Sequence, residues 1–234
     1  MIIEICANSF ESAKAAQDGG ADRIELCADL SKGGLTPLHS VIKKVIEELK
    51  IPVHVLIRPR SGDFVYSRKE LETMLIDIAY CKELYCSGIV SGVLTLENNI
   101  DEEATRQLIV ASEGMEFTFH RAFDRDVEVE SSIKSLIKLG VTRLLSSGQQ
   151  NKAIDGIELL NKMKLLAKDH LQIMPGSGIG SENALAFKEA GFEAIHFSAT
   201  KKANLSKTAS GLFANEIIGT SDQLEIERII KLLA

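Results

Sequence analysis

The chain has 234 residues, 45% of them hydrophobic and 26% charged, with a formal net charge of −6. That is an ordinary globular composition, and the acidic balance argues against nucleic acid or an anionic membrane surface as a partner. No apolar run approaches the roughly 18 residues a membrane span needs. The opening MIIEICANSF has no basic segment ahead of an apolar one, so a cytoplasmic protein is expected.

The first strand is expected over about 2–6, followed by a helix over 9–18 that Asn8 or Ser9 caps. The second strand, RIELC at 23–27, repeats the acid and cysteine spacing of the opening IIEIC. A helix over 38–49 leads to strand three at 53–58, and a helix over 67–84 to strand four at 88–94. The next helices, 101–113, 128–139, 152–168 and 181–190, precede strands 116–120, 142–146, 171–175 and 194–198, and a last helix spans 221–233. A glycine recurs between helix and strand, as in QDGGADRIELC and KLGVTRLL, where a helix C-cap favours it. Eight strands alternating with eight helices predict an α/β fold, a closed (β/α)8 barrel of the TIM type, forming one domain over 1–234. A doubly wound open sheet would want a Gly-x-Gly-x-x-Gly turn after strand one, which is missing. The connection 199–220 is long and aperiodic, and is expected to be a mobile loop over the C-terminal face.

Strand residues alternate between faces, so the polar parity of each strand is expected to face the barrel axis. That set contains Glu4, Cys6, Glu25, Cys27, His54, Leu56, Arg58, Thr118, His120, His196 and Ser198. Charges in a barrel core are costly unless paired or used. Glu4, Glu25, Arg58 and His120 are therefore the candidate catalytic groups, with internal Glu–Arg ion pairing as the structural alternative. Arg58 is expected beside the two acids, lowering their pKa values. His54 lies deeper and reads as a core histidine, His196 reads either way, and His39 and His170 fall at the surface. Arg58 and Arg60 bracket Pro59 on a stiff turn suited to capturing an anion. Gly176, Ser177 and Gly178 in MPGSGIGSEN, completed by Ser198, suit an anion site ahead of a helix. Cys81 and Cys86 read as half-buried reduced thiols. No lysine lies within a strand, which disfavours Schiff-base chemistry.

The stretches EICANSFESAKAAQDGGADRIELCADLSKGGLTP, IPVHVLIRPRSGDFVYS, GVLTLENNID, FTFHRAFD, LLSSGQ and IMPGSGI resemble the CutC family of copper homeostasis proteins. The resemblance runs from about residue 3 to 200; Ser177, where the family often has glycine, and the ending HFSATKK depart from it. It implies a cytoplasmic barrel that binds copper as Cu(I), assembles as a homodimer or higher homo-oligomer, and uses Cys6 and Cys27 as the metal ligands. Soft thiolates select that ion. The inward acids, arginine and histidine suggest a second function, an acid–base enzyme for a small anionic metabolite such as a phosphorylated one. There Glu4 or Glu25 would be the base, His120 an acid or electrophile, and Arg58 with the strand-seven loop the anion clamp.

Overall fold

The alternation of apolar and polar residues becomes a ring of eight parallel strands in the computed structural model, which describes residues 1–126, 128–201 and 219–234. The strands are β1 Ile2–Ala7, β2 Arg23–Leu26, β3 Val53–Leu56, β4 Gly88–Ser91, β5 Glu116–Phe119, β6 Arg143–Ser146, β7 Gln172–Pro175 and β8 Ala194–Phe197. Each pairs with its sequence neighbour, β1 also pairs with β8, and a bridge from Gly176 to His196 joins β7 to β8 and closes the (β/α)8 barrel.

Helices α1 Phe10–Asp18, α2 His39–Glu48, α3 Arg68–Glu83, α4 Glu102–Ala111, α5 Val129–Leu139, α6 Ile157–Ala167, α7 Ala184–Glu189 and α8 Gln223–Leu233 form the outer layer. Their starts follow short polar side chains. Ser9, Asp101 and Asp222 accept backbone N–H bonds, and Ser67 forms a reciprocal capping box with Glu70. Two helices begin later than expected. The chain at 152–156 turns back on the β6 loop, where Gly148 and Gly156 are too close for any side chain, so α6 starts at Ile157. Residues 181–183 form a turn in which Asn183 Oδ1 accepts from the Gly180 N–H, so α7 starts at Ala184. The connection expected to be a loop at 199–220 lies outside the described residues over 202–218. Its ends form a small antiparallel ribbon, β9 Thr200–Lys201 with β10 Thr220–Ser221.

The main core lies between the barrel and its helices, where Ile3, Ile5, Ile24, Leu26, Val55, Ile89, Phe119, Leu144 and Ile195 are buried. Inside the barrel, apolar packing is reduced to two small groups. Ile2, Leu145, Met174 and Ala194 form one, and Cys6, Cys27, Leu56 and Val90 the other. The remaining inward positions are polar, and they build the site. Cys81 and Cys86 are not half-buried as expected: both sit in the outer core, away from the barrel interior, as free thiols.

Candidate functional site

Strand registers combined with the stagger of such barrels stack the inward side chains in layers. At the N-terminal end, Arg143 donates to Thr118 Oγ1 at 3.0 Å, Gln172 Oε1 at 2.7 Å and Glu116 Oε2 at 2.8 Å. Arg23, which likewise opens its strand, bonds Glu4, and Glu4 Oε1 lies 2.8 Å from His196 Nδ1. His54 is buried near these charges. Burial pushes its pKa down to about 4, so it is a neutral core histidine, as its depth suggested.

Next comes the level of Glu25 and His196, then that of Cys6, Leu56 and His120, which opens into a cavity of about 330 Å³ at the C-terminal ends of the strands. Cys6, Glu25, Arg58, His120, His196 and Ser198 line it, with Phe64, Arg121, Ser177 and Gly178 at its walls. This is where barrel enzymes place their chemistry.

The two acids are shifted in opposite directions. Burial opposes ionisation of Glu4, but the hydrogen bond and charge of His196, with the charge of Arg23, hold its carboxyl well below the ordinary range. Glu25 is pushed up to about 7, mainly by burial, with the Glu4 charge adding to it and the His196 charge opposing. Burial lowers the His196 pKa, but the charges of Glu25 and Glu4 outweigh this and raise it. The Cys6 thiol is pushed well up by its contact with Cys27, by burial and by both acids, so it is protonated at neutral pH. His120 is pushed down to about 3 by burial and the charge of Arg58, and is neutral.

Several residues fall elsewhere than expected. Glu4 lies beneath the cavity, fully buried, in the ion pair that was the structural alternative. Arg58 is not beside the acids: its guanidinium donates to the carbonyls of Lys32, Gly34 and Gly62. Arg60 does not face the cavity. The turn after Pro59 sends it to Glu70, Asp63 and the Val65 carbonyl, where it braces the start of α3. Gly176 forms part of the barrel wall, with its N–H given to the Ser146 carbonyl and no room for a side chain against Leu145 and His196. Ser177 and Gly178 reach the cavity, but α7 begins too far along the chain for its N-terminus to meet them. Ser177 holds a left-handed φ of 90°, which explains why glycine suits that position. Cys27 lies behind Cys6, Sγ to Sγ 3.6 Å.

The sequence reading did not single out Asp124. It accepts from Ser146 Oγ at 2.6 Å, Ser147 N at 3.1 Å and Arg121 Nε at 2.8 Å, and so pins the β5 and β6 loops around the cavity. Its signal lies in FHRAFD and LLSSGQ, the segments at the C-terminal ends of β5 and β6 that the fold brings together. From sequence His196 reads as an inward histidine that is either core or functional. Its ring, Cys6 and Glu25 each offer a ligand atom within 4.8 Å of the others, the one such group of three among the described residues.

The profile of the CutC family matches residues 1–201. The family protein CutC of Pasteurella multocida is 45% identical over 199 residues, covering 85% of this chain and 82% of that protein. The Histophilus somni protein of the same name is 41% identical over 240 aligned positions, covering 99% of both. The crystal structure of CutC from Streptococcus agalactiae, named there for copper homeostasis, is 36% identical, with a TM-score of 0.80 over 85% of this chain and 98% of that one.

Proposed function

The chain belongs to the CutC family, and from that premise we propose that it serves copper homeostasis by binding Cu(I) through Cys6 and Cys27. The observation that carries this reading is the 3.6 Å separation of the two sulfurs. At that separation both sulfurs would be able to reach a single ion, and as thiolates they would supply soft ligands to it. The Cys6 sulfur is shared by two groupings, with the Cys27 sulfur on one side and with the His196 imidazole and the Glu25 carboxylate on the other, and thiolates suit a soft ion. The contact of Glu4 with His196 Nδ1 is the kind that orients a metal-binding histidine. Because the Cys6 thiol is protonated, the metal displaces protons as it binds, and affinity falls as the pH falls. Such a site works in the cytoplasm, where reducing conditions keep thiols free.

The test is a competition titration of reduced protein against a Cu(I) chelator under nitrogen. Cys6→Ser and Cys27→Ser are each expected to weaken binding by more than an order of magnitude, since a hydroxyl is a poor ligand for this ion. Cys81→Ser is expected to bind as wild type does. Equal affinity in all three variants contradicts the proposal.

A further inference from the structure

Copper binding leaves one wall of the cavity without a role, the wall that Arg58 and His120 form. The registers set Leu56, Val90 and Thr118 side by side on β3, β4 and β5, and the Ile57 and His120 N–H groups extend the ladder to Val90 O and Ser91 O. Two residues further on, Arg58 and His120 stand on either side of Gly92. Their strands are two spacings apart, about 10 Å at the backbone, and the curvature of a barrel brings inward side chains closer than that. Gly92 leaves the space between them open, since a Cβ there would lie 2.6 Å from His120 Nδ1. Phe64 backs both groups: its ring centroid is 4.9 Å from that of His120 and 4.8 Å from the Arg58 guanidinium carbon. The two side chains therefore meet the same stretch of the cavity.

Among the described residues, each of the two offers one N–H that nothing accepts, although both are only 5% exposed. The Ala122 N–H donates to His120 Nδ1 at 3.3 Å, so that nitrogen keeps a lone pair and the ring proton sits on Nε2. Arg58 uses Nη1 on the Lys32 and Gly34 carbonyls and Nη2 on that of Gly62, and its Nε–H is left over. Those partners are neutral, and among the described residues no carboxylate pairs with the guanidinium. Arg121, the other guanidinium on the cavity wall, is neutralised by Asp124 at 2.8 Å. Glu25 is the one carboxylate in the lining among the described residues, and it faces His196 at 4.0 Å. It stands level with His54, and Arg58 is four residues, about 13 Å, farther along β3. A buried cation without a counter-charge, beside two N–H groups without acceptors, calls for an anionic oxygen.

We propose that Arg58 and His120 form an oxyanion-binding subsite, separate from the copper ligands, in which the carboxylate or phosphate group of a small metabolite accepts hydrogen bonds from Arg58 Nε–H and His120 Nε2–H. Either kind of group has at least two oxygens, so the donors take one each or share one. The guanidinium supplies the charge. The imidazole supplies direction without a second charge, because burial and the Arg58 charge keep it neutral. Hydrogen bonds to an ionised acceptor are about twice as strong as those between neutral groups. The rest of the molecule lies against Leu30, Leu56, Phe64 and Phe197, the apolar part of the lining. The cavity, at about 330 Å³, sits at the small end of the range for metabolite sites, about 300–1,000 Å³.

The test is isothermal titration calorimetry on protein freed of metal by a chelator and dialysis, at fixed ionic strength in sodium chloride. Orthophosphate and pyruvate are the probes, one for each kind of anionic group. The wild type is expected to bind at least one of them, and which one separates a phosphate ligand from a carboxylate ligand. His120→Leu is expected to raise the Kd of that probe about tenfold or more, the effect of losing a hydrogen bond to a charged group. His120→Gln recovers part of the affinity, because its amide N–H stands in for the lost donor. Arg60→Ala removes a guanidinium that faces away from the cavity, and is expected to bind as wild type does. Arg58→Met risks the fold through its three carbonyl partners, so the His120 pair of variants carries the test. No binding of either probe by the wild type, or equal binding by wild type and His120→Leu, overturns the proposal. A loss as large in Arg60→Ala would show a diffuse charge effect and overturns it too. None of these readouts depends on the copper site.

Discussion

Glu25→Gln is expected to stabilise the metal-free protein by about 3 kcal/mol at about pH 8 and to leave it unchanged at about pH 4. The Glu25 carboxyl is raised from its ordinary 4.5 to about 7 by burial and by the charge of Glu4. A carboxyl whose folded pKa is raised costs nothing below its unfolded value, where both states are protonated. The cost grows as pH rises through 4.5 and is complete above about 7. The amide has nearly the same shape and cannot ionise, so it removes the cost. Urea midpoints of both proteins across this range check the result. A variant no more stable than wild type at the alkaline end contradicts the burial account.

Arg23→Met is expected to cost roughly 3–5 kcal/mol, because it leaves the fully buried Glu4 carboxylate without its guanidinium partner. Adding Glu4→Gln to that variant is expected to recover part of the loss, since the second change removes the stranded charge. The pH dependence follows from the two directions. Glu4, held low, contributes stability above its ordinary 4.5 that is lost as the pH falls. His196, held high, contributes stability below its ordinary 6.5 that is lost as the pH rises through its folded value. The triad of Arg23, Glu4 and His196 therefore stabilises the barrel most between about 4.5 and 6.5. A double variant as unstable as Arg23→Met alone would show that the guanidinium acts by packing against Met174 instead.

The inward set was legible because strand geometry leaves only two parities, and the outward one was filled with isoleucine, valine, leucine and phenylalanine. That placed Glu4, Cys6, Glu25, Cys27, Arg58 and His120 on the correct side of the wall. It did not give their heights along the axis. Only the stagger between strands shows that Glu4 lies one level below Glu25, paired with Arg23 and closed off from the cavity. Arg23 and Arg143 share the inward parity of Glu25 and Leu145, but each opens its strand and reads in sequence as a polar flank. Arg60 shows the opposite failure. Its partners Asp63 and Glu70 are close in sequence, yet only the fold shows that the turn aims it at them. The anion site expected after strand seven depended on a helix beginning near residue 181, and a turn stabilised by Asn183 takes up those residues.

X-ray absorption at the copper edge tests the central claim most directly, on reduced protein loaded with Cu(I) to just below saturation. Cys6 and Cys27, with sulfurs 3.6 Å apart, predict two sulfur neighbours per copper, falling to one in Cys27→Ser. A spectrum with only nitrogen and oxygen neighbours, or one that Cys27→Ser leaves unchanged, would contradict copper binding by this pair.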